Sequence, residues 1–132
     1  MLTSGEIEPD IERVRISLAE ENLIEQFRNY LSRLALAIRD FRNILNDLAD
    51  QRFEAVKSRA VKLQEDMRNI YEMRFNLLRY MAKVSLSITT SSYYIDLFNS
   101  LASLTDDVHA LSMSTERLSL IQASVPEKLS IY

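Results

Sequence analysis

Cysteine and tryptophan are absent from the chain, and its 132 residues include one glycine, two prolines and one histidine. Without cysteine there is no disulfide, no cysteine nucleophile and no thiolate metal site, although the compartment is left open. Sheets, barrels and sandwiches turn often and use glycine and proline to do so, so their scarcity argues for long helices and few turns. A single histidine cannot supply the two Glu-x-x-His units of a di-iron bundle. No glycine-rich phosphate loop is present, and no Ser–His–Asp constellation has a motif around it.

Long apolar runs are also missing. The longest is Leu34 to Ile38, far short of the ~20 residues that span a bilayer. No basic stretch followed by an apolar run stands at the N-terminus, so cytoplasmic location without membrane insertion is the default expectation. Net charge is −3, and the arginines (Arg28, Arg33, Arg39, Arg42, Arg68, Arg79) are mixed with acids. A nucleic-acid binder usually carries a basic stripe, so that role is not expected.

What is present is apolar periodicity. Phe53, Val56, Ala60, Leu63, Met67, Ile70, Arg74, Leu77, Met81, Val84 and Ile88 recur in steps of three and four, with Arg74 the single polar member. A period near 3.5 predicts one long helix with a face buried along its length. A second stripe of Tyr71, Phe75, Leu78 and Ala82 gives this helix two neighbours, making it the middle helix of a bundle. Before it runs Ile24, Phe27, Leu31, Leu34, Ile38, Phe41, Leu45 and Leu48. After it runs Tyr94, Leu97, Leu101, Leu104, Val108, Leu111, Thr115 and Leu118.

The fold class expected is therefore all-α: an up-down antiparallel bundle of three long helices over 23–49, 53–87 and 93–123, in one domain spanning 1–132. An extended coiled coil is the rival architecture, and aromatic residues at core positions favour the bundle. Residues 1–8 read as a frayed tail, and 9–22 as a short N-terminal helical segment opened by Pro9. Between 19 and 22 the apolar phase breaks, which fits either a restart capped by Asn22 or a continuous helix with a register shift. A one-residue slip beside Asp47, Ala49, Asp50 and Gln51 marks a hairpin connection, here without glycine. Six Ser/Thr residues between Ser85 and Ser92 mark the second connection.

Candidate chemistry is sparse. Arg74 is the sharpest anomaly: a guanidinium in an apolar series must snorkel to water, find an internal ion pair or meet an anionic ligand. Glu65, Asp66, Asp106 and His109 are the weak alternative for a divalent cation, against local pairing with Arg68 and a flanking histidine. Asp47, Asp50 and Glu54 near the first hairpin are a similar alternative. No catalytic residue, cofactor or firm metal set is expected. Tyr71, Phe75 and Leu78 on the middle helix, with Ile95 and Phe98 on the third, form either a contact surface for another chain or a widening of the core.

Two segments carry a family resemblance: Leu63-Gln64-Glu65-Asp66-Met67-Arg68-Asn69-Ile70, and Leu104-Thr105-Asp106-Asp107-Val108-His109-Ala110-Leu111 after Tyr94-Ile95-Asp96-Leu97. In helix order, spacing and apolar framing, Ile24 to Leu120 resembles PhoU-like proteins. The resemblance implies three-helix units, carboxylate motifs that hold metal ions, and regulation of phosphate uptake through a transporter or sensor kinase. The acidic pairs of those motifs fall here on Gln64 and Arg68, and on Thr105 and His109, so the likeness extends to the bundle and not to the metal ligands. It further implies a non-enzymatic regulator that docks on a protein partner. The alternative is a structural protein whose helices build a homo-oligomer, with self-association supplying a second three-helix unit.

Overall fold

A computed structural model describes residues 4–88 and 91–124, with side chains described over 18–88 and 91–123. Three helices make it up: α1 (Ser4–Ala49), α2 (Phe53–Val84) and α3 (Ser91–Ser124), with a 3₁₀ turn at Ser85–Ser87 after α2. There is no strand among the described residues. The all-α expectation holds. The frayed tail does not hold over Ser4–Glu8, which already belong to α1, while Met1–Thr3 lie outside the described residues. At Ala19–Asn22 the backbone stays helical, so the phase break is a register shift inside one helix of 46 residues. Pro126, which cannot continue a helix, also lies outside the described residues.

The α1–α2 connection shows how a tight stop forms without glycine. Gln51 takes φ of 60°, the left-handed region. The Arg52 amide reaches back to the Asp47 carbonyl at 2.8 Å, and the Gln51 amide to Leu48 at 3.1 Å. These two bonds satisfy carbonyls that the helix end would leave open, in the Schellman pattern whose left-handed position is usually glycine. The Asp47 side chain, itself buried, lies 2.7 Å from Arg59 Nε across the hairpin and 4.0 Å from Arg52.

Side-chain contacts set the helices in register. Tyr80 donates to the Ala19 carbonyl near the end of α2, and Asp47 meets Arg59 near its start, so α1 and α2 pair in opposite numerical order. Gln64 with Glu116, Tyr71 with Asp106 and Arg74 with Ala102 pair α2 and α3 in the same inverted way. Glu20 with Tyr94 and Tyr30 with Thr105 run in the same order on α1 and α3. Beyond Ala19, α1 continues toward its N-terminus through Ser4–Leu18, roughly 22 Å of helix.

The core follows the expected series on α2 almost residue for residue: Val56, Ala60, Leu63, Met67, Ile70, Leu77, Met81 and Val84 are buried. On α1 and α3 the expected face is corrected. The buried apolar α1 residues are Leu23, Phe27, Tyr30, Leu34, Ala37 and Ile44, so Phe27 and Leu34 keep their place while Ile24, Leu31, Ile38 and Leu45 leave it. On α3 the buried residues are Thr105, Val108, Ser112, Thr115 and Ser119, and Leu97, Leu104, Leu111 and Leu118 are exposed.

Polar satisfaction explains this rotation. Tyr30 is 1% exposed, and its hydroxyl bonds the Thr105 hydroxyl, which also bonds the Leu101 carbonyl at 2.7 Å. Ser112, Thr115 and Ser119 likewise donate to carbonyls of their own helix at 2.7–2.8 Å. The buried hydroxyls therefore carry no desolvation debt, and their small size lets α3 approach closely.

Candidate functional site

Three surfaces of the bundle hold organised side chains. The first is the α2–α3 seam around Arg74. Its guanidinium donates to Asp106 Oδ1 at 3.0 Å and to the Ala102 carbonyl at 3.3 Å, and lies 4.5 Å from the Tyr71 ring centre. The Tyr71 hydroxyl donates to the same Oδ1 at 2.9 Å. Its stem thus stays in the apolar series while its head reaches the helix edge, where it finds a carboxylate. Slight burial of the largely exposed Asp106 opposes its ionisation. The hydrogen bonds from Tyr71 and Arg74, with the charges of Arg74 and His109, outweigh it and hold the carboxyl below its ordinary value. Tyr71 is pushed up to about 12 by burial and by its bond to Asp106. His109 stands edge-on to Tyr71 with ring centres 5.7 Å apart, and its Nδ1 has no hydrogen-bond partner among the described residues. The cluster is a clamp between two helices.

The weak cation set is not brought together. Asp106 and His109 belong to this clamp. Asp66 turns to the opposite side of α2, and Glu65 is exposed. Among the described residues no three His, Asp or Glu side chains gather in a way that could hold a metal ion. Asp47 pairs with Arg59 and Arg52, and Asp50 with Arg52.

The second surface is a cleft of about 260 Å³ between α1 and α2, lined by Arg33, Arg39 and Asp40 facing Lys62, Asp66 and Asn69. Its charges are of both signs and lie at the helix edges, as expected of a solvated seam.

The third surface lies along the seam between α1 and α3, and it is apolar. Ile24, Leu31, Ile38 and Leu45 repeat every seven residues on α1, and Leu97, Leu104, Leu111 and Leu118 do so on α3. All eight are 39–53% exposed. At 100° per residue each stripe sits roughly 70° to one side of its helix's core line. On α1 the other side carries Arg33, Asp40 and Asp47, which face α2. On α3 the other side carries Asp106, His109 and Glu116, which face α2 as well. Both stripes therefore flank the α1–α3 seam and form one face. Every residue of it is legible in the sequence, but within series that read as core; the strict seven-residue repeat of pure aliphatics was the available signal.

The expected contact patch divides. Phe75, Leu78 and Ile95 are exposed, with Arg79 over the Phe75 ring. Tyr71 is tied into the clamp, and Phe98 packs against the core, so these two widen the core instead of facing outward. At the far end, Tyr94 donates to Glu20 at 2.6 Å and stacks on Phe27; the bond to Glu20, followed by burial, pushes its pKa up to about 12. None of the described helices is long and apolar enough to cross a membrane. Comparisons with family models, curated proteins and solved structures found no match to this chain.

Proposed function

We propose that the protein is a non-enzymatic docking module, an up-down antiparallel bundle of three helices whose α1–α3 face receives other helices. The observation that carries this reading is the pair of aliphatic stripes on that seam. Contiguous exposed apolar patches of several hundred Å² mark interaction surfaces in soluble proteins. Anchors repeating every seven residues on two adjacent helices suit an amphipathic helix laid along the groove. The inverted pairing of α1 with α2 and of α2 with α3 supports the up-down arrangement.

The PhoU-like resemblance supplies a biological setting for the same reading: a cytoplasmic regulator that docks on a phosphate transporter or its sensor. The test is affinity capture from the native host under phosphate-rich and phosphate-poor growth, with wild type and an Ile38→Glu/Leu111→Glu variant in parallel. A transporter or sensor recovered in a phosphate-dependent way, and lost with the variant, supports the reading. Recovery that ignores the variant removes the α1–α3 face from the account. A structural protein that assembles with itself is the second reading, favoured by the matched spacing of the two stripes.

A further inference from the structure

The two stripes are matched in height as well as in period. Glu20 with Tyr94 and Tyr30 with Thr105 place residues 74–75 apart in sequence beside one another. Ile24 and Leu97, Leu31 and Leu104, Ile38 and Leu111, and Leu45 and Leu118 are each 73 apart. Each pair is therefore level to within roughly 2–3 Å. The face is a ladder of four aliphatic rungs, about 10 Å from one to the next.

A face of two side-by-side helices can meet its own copy through a twofold axis in two ways. With the axis across the helices, α1 lies on α1 and α3 on α3, each pair antiparallel. With the axis along the helices, α1 lies on α3 of the second copy, both running the same way. The exposed outer rims decide between these. On α1 the rim residues at the rung spacing are Glu21, Arg28, Ala35 and Arg42, with Arg28 also 3.2 Å from Glu25; on α3, between the rungs, they are Ser100, Asp107 and Ser114. The antiparallel pairing sets Arg28 of one copy beside Arg42 of the other, because they stand nearly equally far from the centre of the face. The parallel pairing sets Ala35 level with Asp107, with Arg28 and Arg42 each about 10 Å away along the helix, so no like charges meet. The antiparallel pairing also sets Asp107 of one copy beside Asp107 of the other at the centre of the face, so like charges disfavour the first arrangement and leave the second.

Resting on the docking reading above, we propose that the occupant of the α1–α3 face is a second copy of this chain, packed about a twofold axis parallel to the helices. Four helices then enclose four layers, each built from two residues of α1 stripes and two of α3 stripes. At roughly 80 Å² of exposed surface per half-exposed aliphatic residue, each copy brings about 600 Å², near the ~800 Å² per partner of a standard interface. Closing the seam this way takes both aliphatic stripes out of water without a change in the fold of either copy.

The test is sedimentation velocity of the full chain from about 1 to 200 µM, with cross-linking of engineered cysteines in this cysteine-free background. A dimer is expected, and Leu31→Glu with Leu111→Glu weakens it at least ~100-fold while far-UV circular dichroism is unchanged. If the glutamates lower helicity, Leu31→Ser with Leu111→Ser gives the same comparison. Arg28→Cys mixed with Ser100→Cys is expected to form the intermolecular disulfide. A chain that stays monomeric throughout the range overturns the proposal, as does a dimer indifferent to both double variants. Arg28→Cys cross-linking to Arg42→Cys instead overturns the parallel axis. A monomer that still captures a partner through Ile38 and Leu111 sinks self-pairing alone and leaves the docking reading standing.

Discussion

Leu31 and Leu34 stand one turn apart on α1, belong to the same apolar series in the sequence, and are expected to respond very differently to truncation. Leu34 is 0% exposed. Its replacement by alanine removes the transfer free energy of the lost groups and leaves a cavity, which together cost about 3 kcal/mol within the usual 2–5 range. Leu31 is 51% exposed. Only about half of its ~2–3 kcal/mol of burial is realised in the single bundle, and no enclosed cavity follows its loss, so Leu31→Ala is expected to cost about 1 kcal/mol. The assay is urea unfolding followed at 222 nm in dilute protein. With a slope of about 2 kcal/mol/M, Leu34→Ala should lower the midpoint by roughly 1.5 M and Leu31→Ala by roughly 0.5 M. At high protein concentration the Leu31→Ala loss should grow, because self-pairing buries that side chain. Equal losses for the two variants in dilute protein would refute the reasoning and return Leu31 to the core.

Gln51→Gly is expected to raise stability by about 1 kcal/mol, because glycine meets the φ of 60° without the left-handed penalty; a loss of stability in the same urea assay would mean that the Gln51 side chain matters more than its backbone. Arg74→Leu is expected to be neutral or stabilising in urea, since it exchanges an ion pair to a largely exposed Asp106 for apolar packing, whereas Arg74→Ala should cost about 1–2 kcal/mol through the lost stem; a loss with leucine as large as with alanine would show that the charge itself holds the seam. Tyr71 and Tyr94 stay protonated to about 12 in the fold but ionise near 10 when unfolded. Their stabilisation is fully present below pH 10 and is lost as pH rises through about 12, so the urea midpoint should fall between pH 9 and 11.5. Tyr71→Phe with Tyr94→Phe should flatten that fall, and a double variant with wild-type slope would contradict the assignment.

How far the fold was legible depended on each helix's neighbours. On α2, packed between two helices, the core line coincided with the apolar series, and only Arg74 and the half-buried Phe53 at the helix start departed from it. On α1 two apolar lines compete one residue apart, Ile24-Leu31-Ile38-Leu45 against Leu23-Tyr30-Ala37-Ile44; on α3 the apolar line Leu97-Leu104-Leu111-Leu118 competes with the mostly hydroxyl line Phe98-Thr105-Ser112-Ser119. Hydrophobicity alone selects the leucines on α3. The structure selects the hydroxyls, because Tyr30 needs Thr105 and because each hydroxyl can bond its own helix. That choice depends on a contact 75 residues away in sequence, which no local period contains. The hairpin at Asp50–Gln51 was visible as a phase slip, but its backbone device was hidden because glycine was missing from the left-handed position. The Arg74 anomaly was legible as a problem; its solution, Asp106 with Tyr71 across the seam, required the register of α2 on α3.

The most direct test of the central claim, that the aliphatic stripes lie outside the core, is the thiol reactivity of Leu111→Cys and Ser112→Cys in protein dilute enough to be unpaired. Ser112 is 3% exposed and Leu111 53%, and a buried thiol reacts only through local opening. The account predicts that the cysteine at 112 reacts at least ~10-fold more slowly with a maleimide than the one at 111. A cysteine at 112 that reacts as fast as the one at 111, or faster, would contradict it.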